Sequence, residues 1–324
     1  MTLPNVSVVT PTYLRPEEVV GLLENLSSQS FLPFELVLVD GAPPDERATE
    51  DALRPRISAL PFKVNYIRHG GGTAIQRNIG IEAAQGDFIA FIDDDIRLEV
   101  SFLEVILHAF SADREQHVGG IVGYRVNEHF TPQQAMRWRW YRRLGLLTTY
   151  EPGRYDFETG YPINANMQTP FGGVRAVDFM TTACAVWRRT VLDTGLRFDE
   201  FFKDYGVLED AHFSLTAGKR WQLLQCGDAR CRHEHSPRGR VNRKRVGFKC
   251  VVNYYYVFQD IAGPLRRSQK YRFWRYQMFE LSRVLASGLR RMRFTDFQEA
   301  FGRLQGFLAV SRGAADPRRC KCDS

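Results

Sequence analysis

The first 115 residues alternate between short apolar runs and segments with the apolar spacing of α-helices. The runs are rich in β-branched and aromatic residues, as buried strands are. Strands that alternate with helices form a parallel sheet covered on both faces by helices. The alternation therefore predicts an α/β fold built on a mostly parallel sheet. The predicted strands are Val6–Thr10, Phe34–Val39, Phe62–Ile67 and Phe88–Ile92.

The alternation stops after residue 115. We expect a strand over Val118–Val126, an irregular stretch over 130–176, and further strands over Val177–Val186 and Trp221–Leu224. From Phe248 onward, aromatic and basic residues are interleaved in segments that read as helices. The chain is thus predicted to comprise two halves, 1–115 and 116–247, followed by a helical extension over 248–324.

Three carboxylates, Asp93, Asp94 and Asp95, follow directly after the fourth predicted strand. Adjacent like charges repel each other, so a bound cation would stabilise them, and Mg²⁺ and Mn²⁺ prefer oxygen ligands. Ligands of open α/β sheets bind at the carboxyl ends of the strands. A solvated acidic loop is the alternative interpretation of the cluster on its own.

Charge is divided unevenly along the chain, whose net charge is +7. Residues 1–219 hold 21 Lys and Arg against 29 Asp and Glu, whereas residues 220–324 hold 23 against 8. A basic final third favours an anionic partner, such as a membrane surface, a nucleic acid or a phosphorylated substrate. There is no signal-peptide pattern and no apolar run long enough to span a membrane, so we expect a cytosolic protein with free thiols.

Two local patterns suggest other sites. The loop His69–Thr73 has three glycines, but Ile75 stands where a dinucleotide fingerprint needs glycine, and the loop follows the third strand instead of the first. Cys226, Cys231, His233 and His235 could form a structural zinc site, although C-x4-C is wide and H-x-H is tight for zinc. The CKC near the end of the chain reads as a frayed tail.

Four motifs, in order, resemble the family 2 glycosyltransferases of the GT-A fold. They are VSVVTPTYLRP, ELVLVDG, GTAIQRNIGIEAAQGDFIAFIDDDI and FDEFF followed by GVLEDAHFSL, and together they cover roughly residues 5–235. The resemblance implies a GT-A type, Rossmann-like sheet. The family often has Asn where this chain has Leu14.

The resemblance also implies roles for individual residues. Pro11, Tyr13 and Arg15 would lie near the nucleotide base, and Asp40 would read the base. Arg77 would approach the diphosphate, and Asp93 would approach the ribose. Asp94 would either share the roles of Asp93 and Asp95 or support these two residues. Asp95 and His233 would hold Mn²⁺ or Mg²⁺, with His235 as an alternative ligand. Asp210 of the Glu209–Asp210 pair would be the catalytic base, although acids at a helix N-terminus also complement the helix dipole.

Transfer of a sugar requires charge stabilisation at the leaving diphosphate, a base for the acceptor hydroxyl and exclusion of water. The resemblance implies that the residues above meet these needs in an inverting glycosyltransferase that uses a UDP- or dTDP-sugar. The acceptor would be a glycan or lipid-linked glycan at the inner face of the cell membrane, with no role for nucleic acid. The alternatives are a non-catalytic protein that binds sugar nucleotides or membranes, and a nucleotidyltransferase. The latter needs a Gly-rich, basic signature after the first strand, which TPTYLRP lacks.

Overall fold

The computed structural model describes residues 4–129, 131–204, 206–236 and 242–315, apart from the side chains of residues 132–135. Its strands are β1 (Val6–Thr12), β2 (Glu35–Asp40), β3 (Lys63–Arg68), β4 (Phe88–Ile92), β5 (Ile96–Leu98), β6 (Val118–Arg125), β7 (Tyr155–Asp156), β8 (Tyr161–Pro162), β9 (Val174–Val177), β10 (Cys184–Arg188) and β11 (Gln222–His233). Its α-helices are α1 (Pro16–Ser27), α2 (Ala48–Leu53), α3 (Thr73–Ala83), α4 (Phe102–Ser111), α5 (Pro132–Arg143), α6 (Arg189–Leu192), α7 (Glu209–Gly218), α8 (Arg243–Ala262), α9 (Arg267–Arg291) and α10 (Phe294–Ser311).

A nine-stranded sheet forms the centre of the molecule, in the order β3-β2-β1-β4-β10-β6-β11-β5, with β9 also paired to β11. Strands β1, β2, β3, β4, β6 and β11 run in one direction, and β5, β9 and β10 run against them. The predicted mostly parallel α/β sheet is therefore confirmed. The carboxyl ends of β1, β2 and β4 meet at one edge.

The first half of the fold follows the predicted alternation. All residues of β1, β2 and β4 are buried, as expected for strands covered on both faces. Helix α1 begins with Pro16 and has Glu17 and Glu18 in its first turn, where they complement the helix dipole. Its apolar stripe, which includes Leu22 and Leu26, packs into the main core.

The structure departs from the sequence prediction after residue 115. The stretch 130–176 is not irregular throughout, because it contains α5, the β7–β8 pair and β9. In α5, arginines interrupt the apolar spacing, and Trp138 and Tyr141 are buried against Tyr276 of α9. The strand predicted over Trp221–Leu224 continues to His233, because β6, β9 and β5 pair with successive parts of it.

The extension consists of α8, α9 and α10. The interleaved aromatic residues of α8 and α9 mostly pack inward, and Tyr256 and Val257 of α8 belong to the main core. In the described residues, no helix is both long enough and apolar enough to cross a membrane.

Candidate active site

A cavity of about 820 Å³ opens at the edge where β1 and β4 end. It brings together most of the residues that the motifs single out, from elements far apart in the sequence. They are Pro11, Tyr13, Arg15, Arg77, Asp93, Asp94, Asp95, Glu209, His233 and His235. Within the part of the chain that the structure describes, Asp40 and Asp210 do not line this cavity.

Arg77 joins the two acidic motifs. It is 3% exposed, and its guanidinium donates to Asp93 Oδ1 at 3.0 Å and to Glu209 Oε1 at 3.1 Å. Burial lowers the pKa of Arg77, but the charges of Asp93 and Glu209 more than offset this, so the guanidinium stays charged. The carboxyl end of β4 and the start of α7 are therefore held together by one buried cation.

Asp94 is buried, and its carboxylate accepts hydrogen bonds from the end of β1 and from the loop that follows β1. Thr12 Oγ1 donates to it at 2.7 Å, and Arg15 Nη1 donates to it at 2.8 Å. Burial raises the pKa of Asp94 to about 6, although Arg15 and Thr12 oppose the rise. The contacts make Asp94 a residue that positions Arg15 at the cavity wall.

Asp95 faces a cluster that the motifs only partly reveal. His233 Nε2 lies 3.2 Å from Asp95 Oδ1, and its Nδ1 lies 2.6 Å from Glu128 Oε1. His235 Nε2 lies 3.3 Å from the same oxygen of Glu128. Glu128 follows β6 and has no motif around it, so sequence reasoning missed it. Asn127 brings it into place by exchanging two hydrogen bonds with the backbone of His233, at 2.7 and 3.0 Å.

Opposite charges stabilise one another in this cluster. Burial lowers the pKa of His233, but hydrogen bonds to Asp95 and Glu128 raise it to about 9. Burial raises the pKa of Asp95, but His233 and Arg15 bring it down to about 2. The pKa of Glu128 is likewise raised by burial and brought to about 2 by His233 and Arg125.

These donors fit a divalent cation. Glu128, His233 and His235 can each offer a ligand atom, and the three atoms lie within 4.8 Å of one another. The charged His233 lies between two carboxylates, where a cation would be stabilised in the same way. Carboxylates suit Mn²⁺ and Mg²⁺ alike, and imidazole suits transition metals, so the mixed set is compatible with a divalent cation. Among the described residues, neither Cys226 nor Cys231 belongs to this group, which gives no support to the zinc alternative. The CKC tail lies outside the described residues.

Asp210 is half-buried at the start of α7, and its Oδ1 accepts from the amide of Ala211 at 2.7 Å. Burial and, after it, the charge of Glu209 raise the pKa of Asp210 to about 7, although Arg77 opposes both. A carboxylate with a pKa near neutrality is suited to accept a proton at cellular pH. Leu208, the residue before the pair, has a φ of 70°, a left-handed conformation that is unusual for leucine and is common at functional sites.

Asp40 ends β2 and is buried. Its two oxygens accept from the amide of Ala42 at 2.9 Å and from Tyr66 Oη at 2.8 Å. The next residue, Gly41, lines the cavity. Leu14, in the loop after β1, has a φ of 55°, where asparagine is better tolerated than leucine.

The glycine loop after β3 contacts the segment that precedes α7. Gly72 pairs with Asp204, whose amide donates to Gly71 O at 2.8 Å. Gly72 has a φ of +96°, and a Cβ there would lie 1.8 Å from Asp204 O. Arg245 of α8 forms an ion pair with Asp204 and also lines the cavity. The loop glycines therefore allow a close backbone contact across the cavity and do not form a dinucleotide fingerprint.

Comparison with known proteins places this geometry among glycosyltransferases. The sequence profile described as Glycosyl transferase family 2 matches residues 7–192, more than half of the chain. The succinoglycan biosynthesis protein ExoM of Rhizobium meliloti is 28% identical over 159 residues, which is 48% of this chain and 48% of that protein. Other curated relatives match over smaller parts of their own lengths, such as 29% for an uncharacterised glycosyltransferase of Haemophilus influenzae.

Solved structures resemble this chain over nearly its whole length. Residues 1–349 of Staphylococcus aureus TarS superpose with a TM-score of 0.55 and 17% identity, over 98% of this chain and 82% of that one. A mannosyltransferase from Pyrobaculum calidifontis, solved with GDP-Man and Mn²⁺, gives a TM-score of 0.55 and 14% identity over 94% and 88% of the two chains. At these identities the likeness shows the fold alone, and it confirms the GT-A type sheet with C-terminal helices.

Proposed function

This chain belongs to glycosyl transferase family 2, and on that basis we propose that it is an inverting, metal-assisted glycosyltransferase. It would move a sugar from a nucleotide-diphosphate donor to a hydroxyl of a glycan or lipid-linked glycan. The curated relatives match this chain over half of their length or less, so the activity of the whole protein is inferred, with the cavity geometry as its support.

The buried bridge formed by Arg77 carries the proposal. It fixes Asp93 of the three-aspartate cluster relative to Glu209 of the second acidic motif, and all three line one cavity. A donor and an acceptor must be held together for a single displacement, so two acidic motifs linked across one cavity support a transferase. A binding protein has no need of the second motif.

In the proposed reaction, the acceptor oxygen attacks the anomeric carbon while the bond to the diphosphate oxygen breaks on the opposite side. The hydroxyl proton passes to Asp210, and the diphosphate leaves with the bonding electrons. Proton removal by a positioned carboxylate contributes about 10²–10⁴-fold to such rates. Glu209 raises the pKa of Asp210 and anchors Arg77, so it would act by positioning and tuning the base.

Asp95 and His233, together with Glu128 and with His235 beside them, would hold Mn²⁺ or Mg²⁺. When bound, the cation would supply Lewis-acid stabilisation of the charge that develops on the leaving diphosphate. Pro11, Tyr13, Arg15 and Asp40 would surround the nucleotide base, and Asp93 would face the ribose, with Asp94 in a supporting role.

We propose a UDP- or dTDP-linked donor. The structure of TarS in complex with UDP-GlcNAc superposes on this chain with a TM-score of 0.51 and 16% identity. Its ligand motivates testing uridine nucleotides first. The donor half would be 1–115 and the acceptor half 116–247. The extension would be 248–324, and its first helix, α8, begins shortly before that boundary, at Arg243. The proposed location is the cytoplasm, at the inner face of the cell membrane.

Replacement of Asp210 by asparagine tests the base. We expect Asp210→Asn to lower the transfer rate by about 10²-fold or more while leaving the UDP- and Mn²⁺-dependent rise in melting temperature unchanged. Asp204→Asn is the matched control, because Asp204 lines the cavity but belongs to neither acidic motif. Wild-type transfer by Asp210→Asn would show that another group accepts the proton.

A further inference from the structure

The helices α9 and α10 form an antiparallel hairpin with an uncovered apolar side. Helix α9 ends at Arg291 with Met292 as its C-cap, and Phe294 begins α10. Ser287 Oγ donates to Asp296 at 2.8 Å, and Arg303 Nη1 donates to Gln277 at 3.2 Å, which fixes the antiparallel pairing. The seam between the helices is filled by Leu281, Val284 and Ala300.

Beside this seam, each helix carries a stripe of large apolar side chains that are exposed to a third or more, and one of them, Phe301, is contacted by Lys244 Nζ at 4.9 Å from its ring centroid. They are Leu285, Leu289 and Met292 on α9 and Phe294, Phe301 and Leu308 on α10, and they are 36–84% exposed. We call these six residues the hairpin face. At about 100° per residue, each stripe lies on the same rotational side of its seam. In an antiparallel pair, that places both stripes on one side of the hairpin.

An apolar side of this extent needs a partner, because proteins that remain monomeric rarely expose large contiguous apolar patches. The neighbouring charges indicate its nature. Residues 266–315 hold eleven Lys and Arg against three Asp and Glu, an excess of eight positive charges. Arg290, Arg291 and Arg293 surround Met292 at the turn, and no described carboxylate lies within ion-pair distance of them.

We propose that the hairpin face docks on an anionic lipid bilayer. Its apolar side chains would enter the region between headgroups and acyl chains, while the arginines at the turn contact lipid phosphates. A second copy of the chain is a poor occupant, because pairing two hairpin faces would bring together two surfaces with the same positive excess. The docking does not depend on the proposed activity.

Vesicle flotation of the full chain tests the proposal. The probe is vesicles of phosphatidylcholine alone or with about 30% phosphatidylglycerol, each at low and high salt. We expect flotation with the anionic vesicles that weakens as salt is raised. The double variant Met292→Ser/Phe294→Ser should bind at least about tenfold more weakly at both salt concentrations.

The triple variant Arg290→Gln/Arg291→Gln/Arg293→Gln should lose about fivefold per arginine at low salt and show little remaining salt dependence. Val100→Ser is the matched control, because Val100 is 58% exposed but lies outside the extension, and it should bind like the wild type. All substituted positions are exposed, so melting temperatures should stay unchanged.

Three results would overturn the proposal. The first is that the wild-type chain fails to float with anionic vesicles at low salt. The second is that both multiple variants float as well as the control. The third is a dimer in solution that the serine variant converts to monomer, which would assign the hairpin face to self-association. Sugar transfer is not measured in these assays, so each of these results leaves the proposed activity standing.

Discussion

The pKa of Asp210 depends on the residues immediately around it. Its pKa is raised to about 7, first by burial and then by the charge of Glu209. A base works only when deprotonated, so the transfer rate should rise with pH through about 7 and fall on the acid side. The pH profile of kcat/KM would measure this limb.

Glu209→Gln should move that acid limb to lower pH. It removes the negative charge that raises the pKa of Asp210 and leaves the positive charge of Arg77 less neutralised. Both effects favour the deprotonated base. Asp204→Asn, which removes a carboxylate from the same cavity, should leave the limb in place. An unshifted limb in Glu209→Gln would mean that Asp210 is not the group that titrates.

At the scale of elements, the proposed cation site combines residues from the ends of three strands: Asp95 after β4, Glu128 after β6 and His233 at the end of β11. We expect Glu128→Ala and His233→Ala each to weaken the apparent affinity for Mn²⁺ by about 10–100-fold. The weaker binding would appear as a smaller Mn²⁺-dependent rise in melting temperature. His117→Ala, an exposed histidine paired with Glu115, is the control. Undiminished Mn²⁺ stabilisation in both variants would remove the metal site from this cluster.

The contact between the glycine loop and the segment before α7 gives a second prediction for the elements. Gly72→Ala should destabilise the protein by about 3 kcal/mol, because it combines a backbone that only glycine adopts readily with a steric clash on Asp204 O. Gly173→Ala isolates the backbone term, since Gly173 has a φ of +72° with open space around it, and should cost about 1 kcal/mol. Urea unfolding would measure the loss of stability in both variants. Equal losses would mean that the backbone at Asp204 moves aside for the added Cβ at little energetic cost.

At the scale of the whole molecule, the extension shares its core with the sheet domain. Tyr256 of α8 is fully buried, stacks on Phe201 at 3.8 Å between ring centroids, and donates to Asp199 Oδ2 at 2.6 Å. Tyr256→Ala should therefore cost about 3–5 kcal/mol and lower the melting temperature of the entire chain in one transition. Tyr271→Ala, at an exposed position of α9, should change stability by less than about 0.5 kcal/mol. A separate early transition in Tyr256→Ala would mean that the extension unfolds on its own.

The sequence by itself determined the sheet and most of the cavity. Strands that are buried on both faces need continuous apolar runs, so β1, β2 and β4 can be predicted from the sequence. Polar residues directly after such a strand must lie at the edge of the sheet. The three aspartates after β4 are predicted on that ground, whereas Arg77 and the Glu209–Asp210 pair are named only because their motifs resemble those of a known family.

Only the tertiary structure decided the rest, because contacts between distant residues leave no local pattern. Glu128 is placed beside His233 by the neighbouring Asn127, which hydrogen-bonds to the backbone of His233 across 106 positions of the sequence. The length of β11 depends on three partner strands, and α5 depends on aromatic residues of α9. The interleaved aromatic residues of α8 and α9 mostly lie in the core, and the hairpin face is formed only when α9 and α10 pack side by side.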